Sequence, residues 1–168
     1  MWSAAQLADA RLDARWRARR SGPEARVFRA VLRAFVERAG PVPVEAVVAS
    51  LPELEAARVR ESLARLDADD LLVLAGGEVD VAYPFAGRPT PFVVELPGGQ
   101  SRFSCCAIDA LGIAPMVGAR IDVRAPCHQS GAPLAFAVDP HGPGAAAAGV
   151  MVWVARPGED ARRCTDTL

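Results

Sequence analysis

The chain has 168 residues, 19 basic against 20 acidic side chains and a net charge of −1, and every basic residue is arginine. A near-neutral chain of this size is not a bulk electrostatic binder of nucleic acid. No apolar run approaches the roughly 20 residues of a membrane span, and Met1-Trp2-Ser3-Ala4 leads into an Arg-rich segment rather than an apolar signal core, so a soluble, cytoplasmic protein with no membrane partner is expected.

Residues 2–20 are compatible with a helix carrying Arg11, Arg15, Arg17, Arg19 and Arg20, read as a solvated or docking helix. Ser21-Gly22-Pro23-Glu24 has the makings of a helix start, with serine as cap and proline in the first turn. Val27, Phe28, Val31, Leu32 and Phe35 then recur at helical spacing as one apolar stripe, stopped by Gly40-Pro41. A short helix from Pro43 to about Leu51 and a third from Leu54 to Leu66, with Val59, Leu63 and Leu66 inward, precede Leu71–Leu74, a Gly76-Gly77 turn and Val79, Val81 and Tyr83. Three helices and a hairpin in this order form the pattern of a winged helix. Such a domain reads DNA through a basic third helix, but here Arg58, Arg60 and Arg65 are offset by Glu53, Glu55, Glu61 and Asp67, which argues against nucleic acid as a partner.

The proline-rich stretch Tyr83–Pro91 reads as a linker. Beyond it, Phe92–Leu96 and Ser101–Phe103 flank a Pro97-Gly98-Gly99 turn as a hairpin, and Cys106–Val117 is a helix with Pro115 near its end. Arg120–Arg124, Pro133–Val138 and Val150–Val154 are read as further strands, and His141–Ala148 as a loop. The expectation is an α+β protein: a helix over 1–22, a winged-helix-like three-helix domain over 23–86, and over 87–168 a small, mostly antiparallel sheet with one helix.

Three of the four cysteines fall within about two dozen residues, at Cys105, Cys106 and Cys127. In a reducing compartment these read as thiols or metal ligands before disulfides, and the spacing is not that of a structural zinc site. Cys106 stands where a strand hands over to a helix, so unpaired amides and the helix dipole are expected to favour its thiolate. Asp109 lies one turn on and shares a face with it, where burial would raise its pKa and suit it to acid catalysis. Spacing alone fits equally a buried cysteine with a capping aspartate. Cys105 points away from Cys106 and is read as packing or as a thiol at a pocket edge, Cys127 as buried packing, and Cys164 as a tail thiol whose pKa Arg162 and Arg163 lower.

Ser104-Cys105-Cys106-Ala107-Ile108-Asp109-Ala110-Leu111-Gly112-Ile113-Ala114-Pro115 resembles the cysteine–alanine–x–aspartate helix of the alkylmercury (organomercurial) lyases. Arg124-Ala125-Pro126-Cys127-His128-Gln129-Ser130-Gly131-Ala132-Pro133 is similar to that family's following cysteine and Ser/Thr-Gly-x-Pro turn, and Gly40–Val47 to its Gly-Pro-Val-x-Val-Glu-x-Val segment. The resemblance covers nearly all of 24–160 and makes 87–168 the lyase-like catalytic domain. It implies protonolysis of a carbon–mercury bond, with Cys106 as first mercury ligand, Asp109 as proton relay and Cys127 as a structural cysteine. It implies no cofactor: mercury belongs to the organomercurial substrate, and small thiols or a mercury-accepting protein take the product. The departure is at the C-terminal end, where the family's second catalytic cysteine sits in an apolar context with dozens of residues behind it, so that a shortened C-terminus is expected here. Cys164 is near the expected place, and two readings of it stand, second mercury ligand or unrelated tail cysteine. Beside the lyase reading stand a non-catalytic thiol protein that holds mercury or copper, and a metal-sensing winged-helix regulator.

Overall fold

A computed structural model describes residues 10–152. Helix α1 (Ala10–Ser21) is followed by α2 (Ala25–Glu37), strand β1 (Val42–Pro43), α3 (Val44–Ala49) and α4 (Ala56–Ala68). Then come β2 (Leu72–Ala75), β3 (Glu78–Ala82), β4 (Phe85–Ala86), β5 (Phe92–Leu96), β6 (Gln100–Ser104), α5 (Ala107–Val117), β7 (Ile121–Pro126), β8 (Pro133–Asp139) and β9 (Gly142–Pro143). The α+β class expected from the sequence is the class observed.

The stripe of α2 faces inward as its periodicity requires: Val27, Phe28, Val31 and Phe35 are buried, while Leu32 is half-buried. Val59, Leu63 and Leu66 of α4 are fully buried against it. Ser21 does not cap α2. Its hydroxyl donates back to the Arg17 carbonyl within α1 at 2.8 Å, and α2 begins after Glu24 with no side-chain cap. Helix α1 is a docking helix, anchored by Trp16, whose indole nitrogen donates to the Asp69 carbonyl at 3.2 Å and whose ring stacks on Tyr83 at 5.8 Å. Two of the three arginines of α4 are met by carboxylates, Arg60 by Glu45 at 2.9 Å and Arg65 by Glu24 and Glu61, which offsets their charge.

One nine-stranded sheet runs in the order β1-β3-β4-β6-β5-β7-β8-β9 with β2 on β3, and every described pairing is antiparallel. The stretch read as a linker is therefore corrected. Its Phe85 and Ala86 pair with β3 on one side and β6 on the other. Phe85 is fully buried and its ring stacks on that of Phe35, centroids 5.9 Å apart. Burying a phenylalanine contributes about 2–3 kcal/mol, enough to hold a two-residue strand among prolines. Gly87 is packed as closely: a Cβ there would sit 2.8 Å from the Pro41 backbone and 2.9 Å from the Asp80 carbonyl.

Arg102 of β6 is 8% exposed and ties the sheet to α2. Its Nε donates to the Phe35 carbonyl at 2.6 Å and an Nη to that of Val36 at 2.5 Å, both acceptors left over in the helix's last turn. At the far edge a second expectation fails. Residues 150–152 form no strand, and Trp153 and Val154 lie outside the described residues. The position beside β8 is taken by β9, from the segment read as a loop, followed by a 3-10 turn at Ala145–Ala147.

Candidate active site

Strand β6 ends at Ser104, and two residues later α5 begins with Cys106 as its N-cap, in extended geometry (φ −151°, ψ 179°). The capping atom is sulfur: the Asp109 amide donates to Cys106 Sγ at 3.5 Å, while the Cys106 carbonyl accepts from the Ala110 amide at 2.9 Å. The i, i+3 spacing returns the Asp109 side chain to the same sulfur, and the thiol donates to Oδ2 across 3.0 Å. Thiol and carboxylate thus form one hydrogen-bonded pair, as their spacing predicts.

The expectation that the helix terminus makes Cys106 a thiolate is corrected. Its pKa is pushed up to about 11, first by burial and then by the negative Asp109 carboxylate, which together outweigh the amide hydrogen bonds. Asp109 is also raised above the usual carboxylate range by burial, against the opposing hydrogen bond from Cys106. Near neutral pH the Cys106 thiol keeps its proton, with the Asp109 carboxyl at hydrogen-bond distance from it.

Ser104 and Thr90 hold this turn, and sequence reasoning did not single them out. The fully buried Ser104 hydroxyl lies 3.1 Å from the Pro84 carbonyl and 3.3 Å from that of Cys106, with one proton to give to either. Thr90 donates to the Ser104 carbonyl at 2.6 Å. A buried hydroxyl has to find an acceptor, but nothing in the polar run Gln100–Ser104 marks Ser104 as buried, so its role was not legible in the sequence.

Cys105 is 5% exposed and its thiol donates to the Phe85 carbonyl at 3.2 Å; burial, then the charges of Asp109 and Cys106, hold its pKa far above the ordinary thiol value. It packs, and it keeps its proton. Cys127 departs from the buried-packing expectation. It is half-buried at the β7–β8 turn, where its amide donates to Ala132 O at 2.7 Å and its carbonyl accepts from Gly131 at 2.8 Å. Its pKa is lowered, first by a hydrogen bond from the Ser130 side chain and then by the Ser130 and Gln129 amides. Cys164 lies outside the described residues.

Among the described residues no three His, Cys, Asp or Glu side chains converge as a metal site; Cys106 and Asp109 are brought together as a pair. The clefts of the helical half, lined by Pro23, Arg58 and Ser62, include no residue of α5. The arrangement has a defined chemical capacity: a soft sulfur to take a thiophilic ion, and a carboxyl to take the proton which that sulfur gives up.

Residues 85–167 match the family described as alkylmercury lyase. Over 116 residues, 68% of this chain and 50% of the relative, the sequence is 31% identical to the alkylmercury lyase of Staphylococcus epidermidis. It is 27% identical to that of Bacillus cereus over 89 residues, 53% of this chain and 38% of the relative. The chain thus spans half or less of the length of these curated relatives. Its fold is similar to that of the mercury-bound form of MerB2, with a TM-score of 0.65 over 79% of this chain and 65% of that one at 17% identity.

Proposed function

The chain belongs to the alkylmercury lyase family, and on that premise we propose that it cleaves the carbon–mercury bond of organomercurials by protonolysis. The observation that carries the reading is the 3.0 Å hydrogen bond from Cys106 Sγ to Asp109 Oδ2. Mercury(II) binds thiolate, so sulfur must lose its proton as it takes the substrate, and metal binding drives that loss even from a thiol whose pKa stands high. The nearest acceptor is Asp109, whose raised pKa lets it retain the proton.

Cys164, within the family-matched residues, supplies the second thiolate in this reading. Two sulfur ligands weaken the carbon–mercury bond, and as it breaks its electron pair takes the proton from Asp109. The hydrocarbon leaves, mercury(II) stays on two sulfurs, and small thiols carry it off. The proton that Cys106 loses is the one the carbon gains, and the two negative sulfurs balance the mercury charge, so the site closes the reaction with no resident cofactor.

The test is benzene release from phenylmercury with excess small thiol, in the parent and in Cys106→Ser, Asp109→Ala and Cys164→Ser. Release by the parent that falls to background in all three variants is the expected result. No benzene from a folded parent refutes lyase activity, and stoichiometric mercury uptake without benzene identifies a mercury-holding protein instead. Full activity in Cys164→Ser removes that residue from the mechanism.

A further inference from the structure

Helix α5 differs from α2 and α4 in what it turns outward. The exposed positions of α2 carry Arg26, Arg29, Arg33 and Glu37, and those of α4 carry Arg58, Arg60, Glu61 and Arg65. On α5 the inner face buries Ala110, Ile113 and Ala114, as expected. The outer face is apolar as well: Ile108 is 54% and Met116 40% exposed, with Gly112 and Pro115 exposed between them. These positions recur at i, i+4 and i+7 or i+8, so they form one stripe. Asp109 is the helix's only charged residue. A helix apolar on every side is one that a protein covers on every side.

The chain itself leads to the cover. Strand β9 packs on α5, the 3-10 turn Ala145–Ala147 follows, and the described chain ends in Met151, 66% exposed, and Val152, 38% exposed. In the sequence the next two residues are Trp153 and Val154, which are apolar as well. Residues 153–168 number sixteen. An extended segment of that length reaches roughly 50 Å, and an eleven-residue helix is about 16 Å long, so reach does not limit the contact.

We propose that the outer face of α5 is the docking surface for the chain's own residues 153–168, with Trp153 and Val154 as apolar anchors on the Ile108–Met116 stripe. A segment held along α5 also has a physical route to the helix's N-terminal turn, where Cys106 stands. The docking is independent of whether a carbon–mercury bond is cleaved, and its test uses no turnover.

The experiment is limited trypsin digestion of the full chain, following cleavage after Arg162 and Arg163 by mass spectrometry. A synthetic peptide of residues 153–168 gives the unprotected rate. In the parent these bonds are expected to be cut about tenfold or more slowly than in the peptide, because cleavage requires the segment to lift off. Ile108→Glu combined with Met116→Glu alters only exposed side chains and is expected to restore the peptide's rate with an unchanged circular dichroism spectrum. Trp153→Asp, which leaves α5 intact, is expected to do the same. Cleavage of the parent at the peptide's rate overturns the proposal, as does protection that survives all these substitutions. Protection that grows with chain concentration alongside a sedimenting dimer also overturns it, since a second copy is then the cover.

Discussion

The coupling of Cys106 to Asp109 is tested most directly by Asp109→Asn, read through the reactivity of the thiol. The parent thiol, pushed up to about 11 by burial and then by the Asp109 carboxylate, is thiolate in about one molecule in a thousand at pH 8. The carboxamide keeps the shape, removes the negative charge and leaves the burial in place. Two unit charges about 3 Å apart at an effective dielectric constant near 20 interact by about 5 kcal/mol, an upper bound here. Burial is the larger cause and persists, and the half-buried sulfur is partly screened by solvent, so a change of about 1.4 kcal/mol, or tenfold in thiolate fraction, is expected. A less basic thiolate is also a weaker nucleophile, so alkylation by iodoacetamide at pH 8 should accelerate only about threefold. The midpoint of its pH–rate curve should move down by about one pH unit. Peptide mass spectrometry reads Cys106 separately from Cys127, whose rate is the internal control. A midpoint that stays in place or rises refutes the electrostatic coupling on which the proton relay depends.

Arg102→Met should lower stability by about 3 kcal/mol in urea denaturation, since the carbonyls of Phe35 and Val36 lose their donor beside a buried side chain. Lysine there should recover only part of the loss, because an ammonium cannot span both acceptors as the guanidinium fork does; a loss below about 0.5 kcal/mol would contradict this role. Cys106 should also make stability fall at high pH. Its folded pKa stands above its unfolded value of 9.0, so the unfolded chain releases the proton first; the contribution is complete below pH 9 and is lost as pH rises through about 11. With allowance for partial exposure this amounts to roughly 1 kcal/mol, and Cys106→Ser should flatten that part of the stability–pH curve. Asp109, also raised, acts with the same sign at lower pH: its contribution is complete below the ordinary carboxylate range and fades as pH passes its folded value. Asp109→Asn should remove that slope from denaturation midpoints measured across the acid range.

What the sequence by itself determined is local. The stripe of Val27, Phe28, Val31 and Phe35 specified α2 because helical periodicity is a property of neighbouring residues. The turns at Gly76-Gly77 and Gly98-Gly99 were legible because all four glycines take positive φ, between 58° and 97°, a region costly for side-chain-bearing residues. The Cys106–Asp109 pair was legible because both its members sit in one helical turn. Tertiary structure decided whatever depends on partners distant in the chain. Phe85 became a strand rather than a linker because it pairs with Ser104 and stacks on Phe35. Arg102 became the cap of a helix 66 and 67 positions away, a contact that no local pattern encodes. Ser104 acquired its role from the Pro84 carbonyl, 20 positions upstream. The protonation of Cys106 was settled in the same way. Sequence position supplied the helix terminus that favours thiolate, but folding buried the sulfur beside a carboxylate, and desolvation together with that charge outweighs the amides of one helical turn.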